Sequence, residues 1–334
     1  MSLRPPTRSP HFTSPRTLDR SPQLKPITTI AVGLATFLWT IALSRSVQAS
    51  DGAISSWTPD IFQAAVLGMV QGLTEFIPIS STAHLKIVPQ ALGWGDPGVA
   101  FSAAIQLGSI VAVLSYFWAD LRQVLGGSVR AIQRRDWESL DFRIALGIAI
   151  GTLPIVVVGL VIKVLLGEFY DTVVRTSTVV AIVSIVMGLL LGLAEELCKH
   201  SRGFEELGIK DGILVGLAEA LAVIPGVSRS GSTMTAGLFL GLDRATAARF
   251  SFLLGIPAIT LAGLFELKDL VAGVSGAELL ALVAGLISAI VFSYVAIAWL
   301  IRFLQTQSTW VFVWYRVVFG SVLLVALSQG WIAN

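Results

Sequence analysis

The sequence predicts an all-α polytopic membrane protein. It reads as an inverted repeat with six core transmembrane helices and two opposed re-entrant helix-turn-helix segments, behind an N-terminal signal-like or anchor helix. Three observations predict this. Of 334 residues, 54% are hydrophobic and only 13% charged, against roughly 25% charged in soluble domains. Apolar stretches near the roughly 20 residues that a spanning helix needs recur near 27–45, 99–118, 144–165, 177–195, 252–273, 280–301 and 312–331. A short glycine motif also appears once in each half, each time ahead of a proline and a serine-rich turn.

In chain order, residues 1–50 read as a basic, disordered leader with Arg4, Arg8, Arg16, Arg20 and Lys25, followed by a signal-like or anchor segment. That segment ends in Val47-Gln48-Ala49-Ser50, which has the small-residue spacing of a signal-peptidase site. Cleaved or kept, it delivers residue 51 to the outer side. Residues 51–334 form one integral membrane domain with repeat halves over 60–195 and 205–334.

Basic residues orient the spans. Segment 119–143 carries Arg122, Arg130, Arg134, Arg135 and Arg143; the 196–211 connection carries Lys199, Arg202 and Lys210; Arg244, Arg249 and Arg302 mark other junctions. Such ends stay cytoplasmic, so segment 51–98 begins and ends outside while segment 212–248 begins and ends inside. Each is expected to dip into the bilayer and return, where non-helical backbone is tolerated only against protein or a water-filled cavity. Gly68-x-x-x-Gly72-Leu73-x-Glu75 recurs 144 residues later as Gly212-x-x-x-Gly216-Leu217-x-Glu219. Copies entering from opposite faces make an inverted repeat, which gathers broken helices and a ligand site near the midplane. Glu195, Glu196, Glu205 and Glu206 read as a solvated cytoplasmic loop.

Two polar runs interrupt this apolar chain, 71–84 and 225–233. An ionised side chain near the bilayer centre costs roughly 2.5–3.5 kcal/mol, so Glu75 in one and Arg229 in the other call for a site. Gln71 and Glu75, spaced i, i+4, share one helix face. Pro78 ends that helix, and Ser80, Ser81 and Thr82 can cap the next one, with His84 on its first turn. In the second run Pro225-Gly226 makes the break, Ser228, Ser230 and Thr233 supply donors, Arg229 supplies a bidentate fork, and Gly231 admits a close approach. Together these make a phosphate cradle with a carboxylate and an imidazole opposite. Serines and threonines in membrane helices also serve only to knit helices, and Glu219 reads either as support for the site or as a remnant of the repeat. The net charge of +2 gives no reason to expect a nucleic-acid partner, and the single Cys198 excludes an intramolecular disulfide.

Gln71-x-x-x-Glu75 with Pro78-x-Ser80-Ser81-Thr82-x-His84, and Pro225-Gly226-x-Ser228-Arg229-Ser230-Gly231-x-Thr233, together resemble the two signature motifs of the undecaprenyl-diphosphatase family, the bacitracin-resistance type of bacterial membrane phosphatase. The resemblance runs from near residue 60 to the C-terminus. It departs at Gln71, where a glutamate is common, and at Ala83, where glycine is usual. It implies hydrolysis of undecaprenyl diphosphate to undecaprenyl phosphate, recycling the lipid carrier for peptidoglycan synthesis. It also implies Mg²⁺ or Ca²⁺ and a multi-pass protein of the plasma membrane with its site open to the outer face.

Carried onto these residues, the resemblance implies that Arg229 and the 228–233 turn bind the diphosphate, helped by Ser80 and Thr82, and that Glu75 with Gln71 holds the metal. Ser81 is the preferred nucleophile with His84 as its base or as general acid; His84 itself or a metal-bound water remain open as nucleophiles. The expected partners are the polyprenyl diphosphate and membrane lipid, with a homo-oligomer left open. Inverted repeats also build secondary transporters, so a flippase for the polyprenyl phosphate carrier is the competing reading. A phosphatase of the phosphatidic-acid type would need a histidine after Arg229, and none follows His200.

Overall fold

The computed structural model describes residues 59–271 and 276–334; the expected leader and anchor segment lie outside the described residues. Among the described residues there is no strand, only an isolated bridge between Arg202 and Leu242. The first helix, α1 (Ile61–Phe76), is started by a capping box in which Asp60 and Gln63 satisfy each other's backbone, and Pro78 follows its end. After a tight turn, α2 (Ser81–Ala91) runs back. Then come α3 (Gly98–Tyr116), α4 (Trp118–Arg134), α5 (Leu140–Leu165) and α6 (Ser177–Leu197). The second hairpin pairs α7 (Ile209–Ala220) with α8 (Arg229–Phe239), and α9 (Arg244–Val271), α10 (Gly276–Leu304) and α11 (Trp310–Ser328) complete the chain.

Among the described residues five helices are long and apolar enough to cross a membrane: α5, α6, α9, α10 and α11. The pair α3 and α4, bent by 70° between them, makes a sixth when counted as one span. Their outward faces carry large exposed side chains such as Val157, Leu160, Val164, Leu189 and Ile287. A water-soluble protein would not leave them bare, and helices are one of the two structures that can span hydrocarbon. The chain is a multi-pass membrane protein.

The two hairpins pack crosswise. The first helix of each lies against a long helix of the other half, α1 on α10 and α7 on α5. Repeated glycines make the contacts: Gly68 meets Gly285 and Gly72 meets Ala289 and Ser293, while Gly212 meets Gly147 and Gly216 meets Gly151. A Cβ at Gly68 or at Gly216 would sit 2.1 Å from the facing carbonyl oxygen, so only glycine allows these backbones to touch. α6 pairs with α11, and α3 with α9. Phe76 at the end of α1 packs edge-on against Phe252 of α9, with ring centroids 5.1 Å apart, which joins the first hairpin to the central apolar cluster.

At one end of the bundle Glu195 departs from its expected place in a solvated loop. It is buried in the last turn of α6 and accepts from Arg244 Nε at 2.8 Å and from Thr309 Oγ1 at 2.8 Å. It ties α6 to the starts of α9 and α11. Arg202 similarly grips Asp211 at 2.9 and 2.8 Å, and reaches Leu240 O and Glu206 O. Asp211, through these bonds, pushes the Arg202 guanidinium above its ordinary range and fixes the two open ends of the α7–α8 hairpin together.

Candidate active site

Both hairpin turns end in a serine with positive φ, Ser80 at 75° and Ser228 at 69°. That backbone state is unusual for a residue with a Cβ and gathers at functional sites. Ser230 joins the two turns: its buried hydroxyl reaches Glu75 O and Ile77 O, each at 3.2 Å.

Glu75 is the centre. Gln71 Nε2 donates to its Oε2 at 3.1 Å, and the Ser81 hydroxyl donates to the same oxygen at 2.6 Å. Its other oxygen lies 3.5 Å from Arg229 Nη2. Arg229 is held from α9, where Nη1 donates to Ser251 O at 3.2 Å and the guanidinium lies so close to Gly255 that a Cβ there would meet Nη1 at 1.8 Å. Its Nε and Nη2 make no hydrogen bond, although the side chain is only 9% exposed. A buried cation with unused donors is costly as a strut and suited to receiving an anion. Glu219, at the repeat position of Glu75, is fully buried with neither oxygen hydrogen-bonded, and Arg229 is the charge acting on it. Glu75 is the carboxylate that meets the arginine directly.

The expected pairing of Ser81 with His84 is not made. His84 Nδ1 lies 2.7 Å from Ser80 O, and because a carbonyl only accepts, Nδ1 carries the proton. Nε2 then accepts from the Tyr315 hydroxyl at 2.6 Å. Both ring nitrogens are engaged, the ring is stacked on Phe319 at 4.7 Å, and the partner of Ser81 is Glu75 instead. The phosphate cradle also differs from expectation. Ser228 Oγ accepts from Gly231 N at 3.1 Å as a helix cap, Ser230 bonds the other turn, and Thr233 Oγ1 bonds Arg229 O at 2.7 Å and Ser251 Oγ at 2.6 Å. These groups are buried and spent on the protein itself; of the second run, Arg229 alone keeps spare side-chain donors. On the first turn Ser80 Oγ and Thr82 Oγ1 are 3.1 Å apart, and Thr82 is exposed. The start of α2 has no side-chain cap, which leaves its first amides open to an anion.

Two residues of α11 belong to this centre and carried no motif. Tyr315 holds His84. Its neighbour Arg316 is the largest fully buried side chain; it donates to Pro78 O at 3.1 Å, Gly226 O at 2.7 Å, Val227 O at 3.1 Å and Ser184 O at 3.2 Å. It clamps both turns to α6. A lone arginine within an apolar span was the available signal.

Among the described residues no three His, Cys, Asp or Glu side chains gather as a metal set. Glu75, Gln71 and Ser81 do bring a carboxylate, an amide and a hydroxyl to one point. That oxygen-bearing set fits a hard divalent cation that completes its shell with water and phosphate oxygens.

The family model described as bacitracin resistance protein BacA matches residues 64–322, which include both hairpins, Tyr315 and Arg316. A protein of Trichormus variabilis called undecaprenyl-diphosphatase is 62% identical over 276 residues, covering 82% of this chain and 86% of its own length. Proteins of the same name from Nostoc sp. and Synechocystis sp. are 56% and 58% identical, covering 92% and 87% of this chain and 96% and 91% of their own. With its two hairpins, its membrane helices and these matches across most of its length, the chain belongs to the bacitracin resistance protein BacA family of enzymes.

Proposed function

We propose that the protein hydrolyses undecaprenyl diphosphate to undecaprenyl phosphate and inorganic phosphate, recycling the carrier for peptidoglycan synthesis and conferring bacitracin resistance. The observation that carries the reading is the buried Arg229, with two unspent donors, opposite the Glu75–Ser81 pair. The crosswise glycine contacts support an inverted repeat whose hairpins are re-entrant from opposite faces. On that topology the site opens to the outer face of the plasma membrane.

In this reading Arg229, Thr82 and the first amides of α2 hold the diphosphate and spread charge off its oxygens in the transition state. Ser81 Oγ bonds to the terminal phosphorus as the bond from that phosphorus to the bridging oxygen breaks. The hydroxyl proton passes to Glu75, and the carrier leaves as its monophosphate. Water then attacks the phosphoserine, its proton is lost to solvent, and Glu75 returns the first proton to Ser81 as inorganic phosphate departs. Glu75 and Gln71 would hold Mg²⁺ or Ca²⁺, which neutralises phosphate charge when bound. His84 orders the turn through Ser80 and Tyr315.

Phosphate release from a long-chain polyprenyl diphosphate by purified protein in detergent, with and without chelator, tests the proposal. Ser81→Ala is expected to lower kcat by about 10³-fold or more while lipid binding persists; turnover near that of the parent would reassign the nucleophile. Tyr315→Phe keeps the stack and removes one hydrogen bond, so kcat should fall by up to about tenfold with KM little changed. The transporter reading shares the broken-helix design, but a phosphate-binding transporter has no need of a carboxylate bonded to a serine hydroxyl. Well-folded protein that binds the lipid and releases no phosphate would favour it.

A further inference from the structure

We propose that α4 lies in the plane of the membrane surface and binds the headgroups of anionic lipids through Arg122, Arg130 and Arg134. The bend of 70° after α3 turns α4 away from the direction of the preceding helix, and three stripes along it face three surroundings. One stripe, Val124, Gly127, Ser128 and Ala131, is buried against α5, where Ser128 Oγ reaches Asp141 O at 3.0 Å. A second stripe is apolar and bare: Trp118 is 60% exposed, Leu125 62%, Val129 54% and Ile132 52%. The spacing of seven residues between Trp118, Leu125 and Ile132, with Val129 four after Leu125, keeps them on one side of the helix. The remaining sector carries Gln123, Arg130, Gln133 and Arg134, with Arg122 at the edge of the bare stripe, and all three arginines are exposed.

A helix divided in this way is at rest only where protein, acyl chains and charged headgroups meet. Trp118 at its start and Trp137 just beyond its end, 53% exposed, are the residue type that settles at that depth. The charge pattern selects the sign of the lipid. Asp120, the one acid within α4, is engaged by Arg249, whose Nε donates to it at 3.3 Å and whose Nη2 donates at 2.5 Å. It is therefore turned inward. Asp136 and Glu138 follow in the loop, past the left-handed turn at Arg135 that ends the helix. The outward face of α4 is left with cations, and cations at a membrane surface favour anionic headgroups.

The test uses the full chain in phosphatidylcholine vesicles with a Cys198→Ser background. Nitroxides placed at Leu125→Cys and Val129→Cys should relax more with oxygen than with a water-soluble nickel complex, and one at Gln133→Cys should show the reverse order. In separate vesicles, spin-labelled phosphatidylglycerol should be immobilised about twofold more than spin-labelled phosphatidylcholine. The triple variant Arg122→Gln, Arg130→Gln, Arg134→Gln should abolish that preference, with unchanged helical content by circular dichroism. Water-accessible nitroxides at Leu125 and Val129 would show that the bare stripe stands off the bilayer, and protection from both reagents would show that it covers protein; either overturns the proposal. Equal immobilisation of the two lipids by the parent chain would overturn the selection of anionic headgroups.

Discussion

Arg229→Lys is expected to lower kcat by about 10³-fold while the purified protein keeps its fold and its thermal midpoint. The charge survives in this variant, so Glu75 still faces a cation. What is lost is the planar fork: Nη1 on Ser251 O and, on the same rigid plane, two donors left over. A lysine ammonium placed against Glu75 cannot also present a second donor at a fixed angle to a phosphate. Arg229→Ala should lose at least as much activity and stability as well, because it leaves the buried Glu75 carboxylate without its cation. Comparing the two separates charge balance from catalysis. A lysine variant within threefold of the parent kcat would mean that the guanidinium serves only as a counter-ion, and the phosphate site would have to be sought on the first turn alone.

The largest expected loss of stability comes from Arg316→Met. The side chain is 1% exposed and gives hydrogen bonds to four backbone carbonyls on three segments. Methionine matches much of its length and none of its donors, so Pro78 O, Gly226 O and Val227 O are left unsatisfied, while Ser184 O keeps its bond within the α6 ladder. At roughly 1–3 kcal/mol for each buried group stranded in this way, the cost is about 3 kcal/mol or more, a large share of ordinary domain stability. The variant should unfold at a markedly lower temperature in detergent, and protease should cut first near 77–80 and 224–228. Arg316→Lys should recover only part of the loss. A thermal midpoint for Arg316→Met close to that of the parent would mean that water replaces the four bonds, and that the turns are held by Ser230 instead.

What could be read from the sequence divides along physical lines. The helical, membrane-embedded class was legible because roughly 20 apolar residues in a row have few other uses, and the break in each hairpin because proline and glycine act locally. Glu75 and Arg229 stood out as charges in apolar surroundings, and the structure brings them to 3.5 Å. The hydroxyls were not legible. Ser230 and Thr233 look like donors awaiting an anion, yet a hydroxyl takes whichever acceptor the fold offers, here Glu75 O and Arg229 O. His84 was placed beside Ser81 because they are three residues apart, whereas its Nε2 partner lies 231 residues away on α11. Glu195 looked like loop for the same reason, since its partner Arg244 is 49 residues on. Arg316 was concealed by its setting, counted as one more residue of a long apolar stretch.

The crosswise contact of α1 with α10 also has a consequence for how the chain is made. Gly68 and Gly72 rest on Gly285, Ala289 and Ser293, about two hundred residues further along the chain. At ribosomal rates of about 5–20 residues per second, α1 waits roughly 10–40 s for the surface that covers it. Through that interval α1 lacks the helix that covers it, and Glu75 lacks Arg229 until the second hairpin has been made. The first hairpin therefore cannot take its final position when it is inserted; it is drawn in late, once the second half has arrived. The site is therefore assembled only after the second half of the chain has been made.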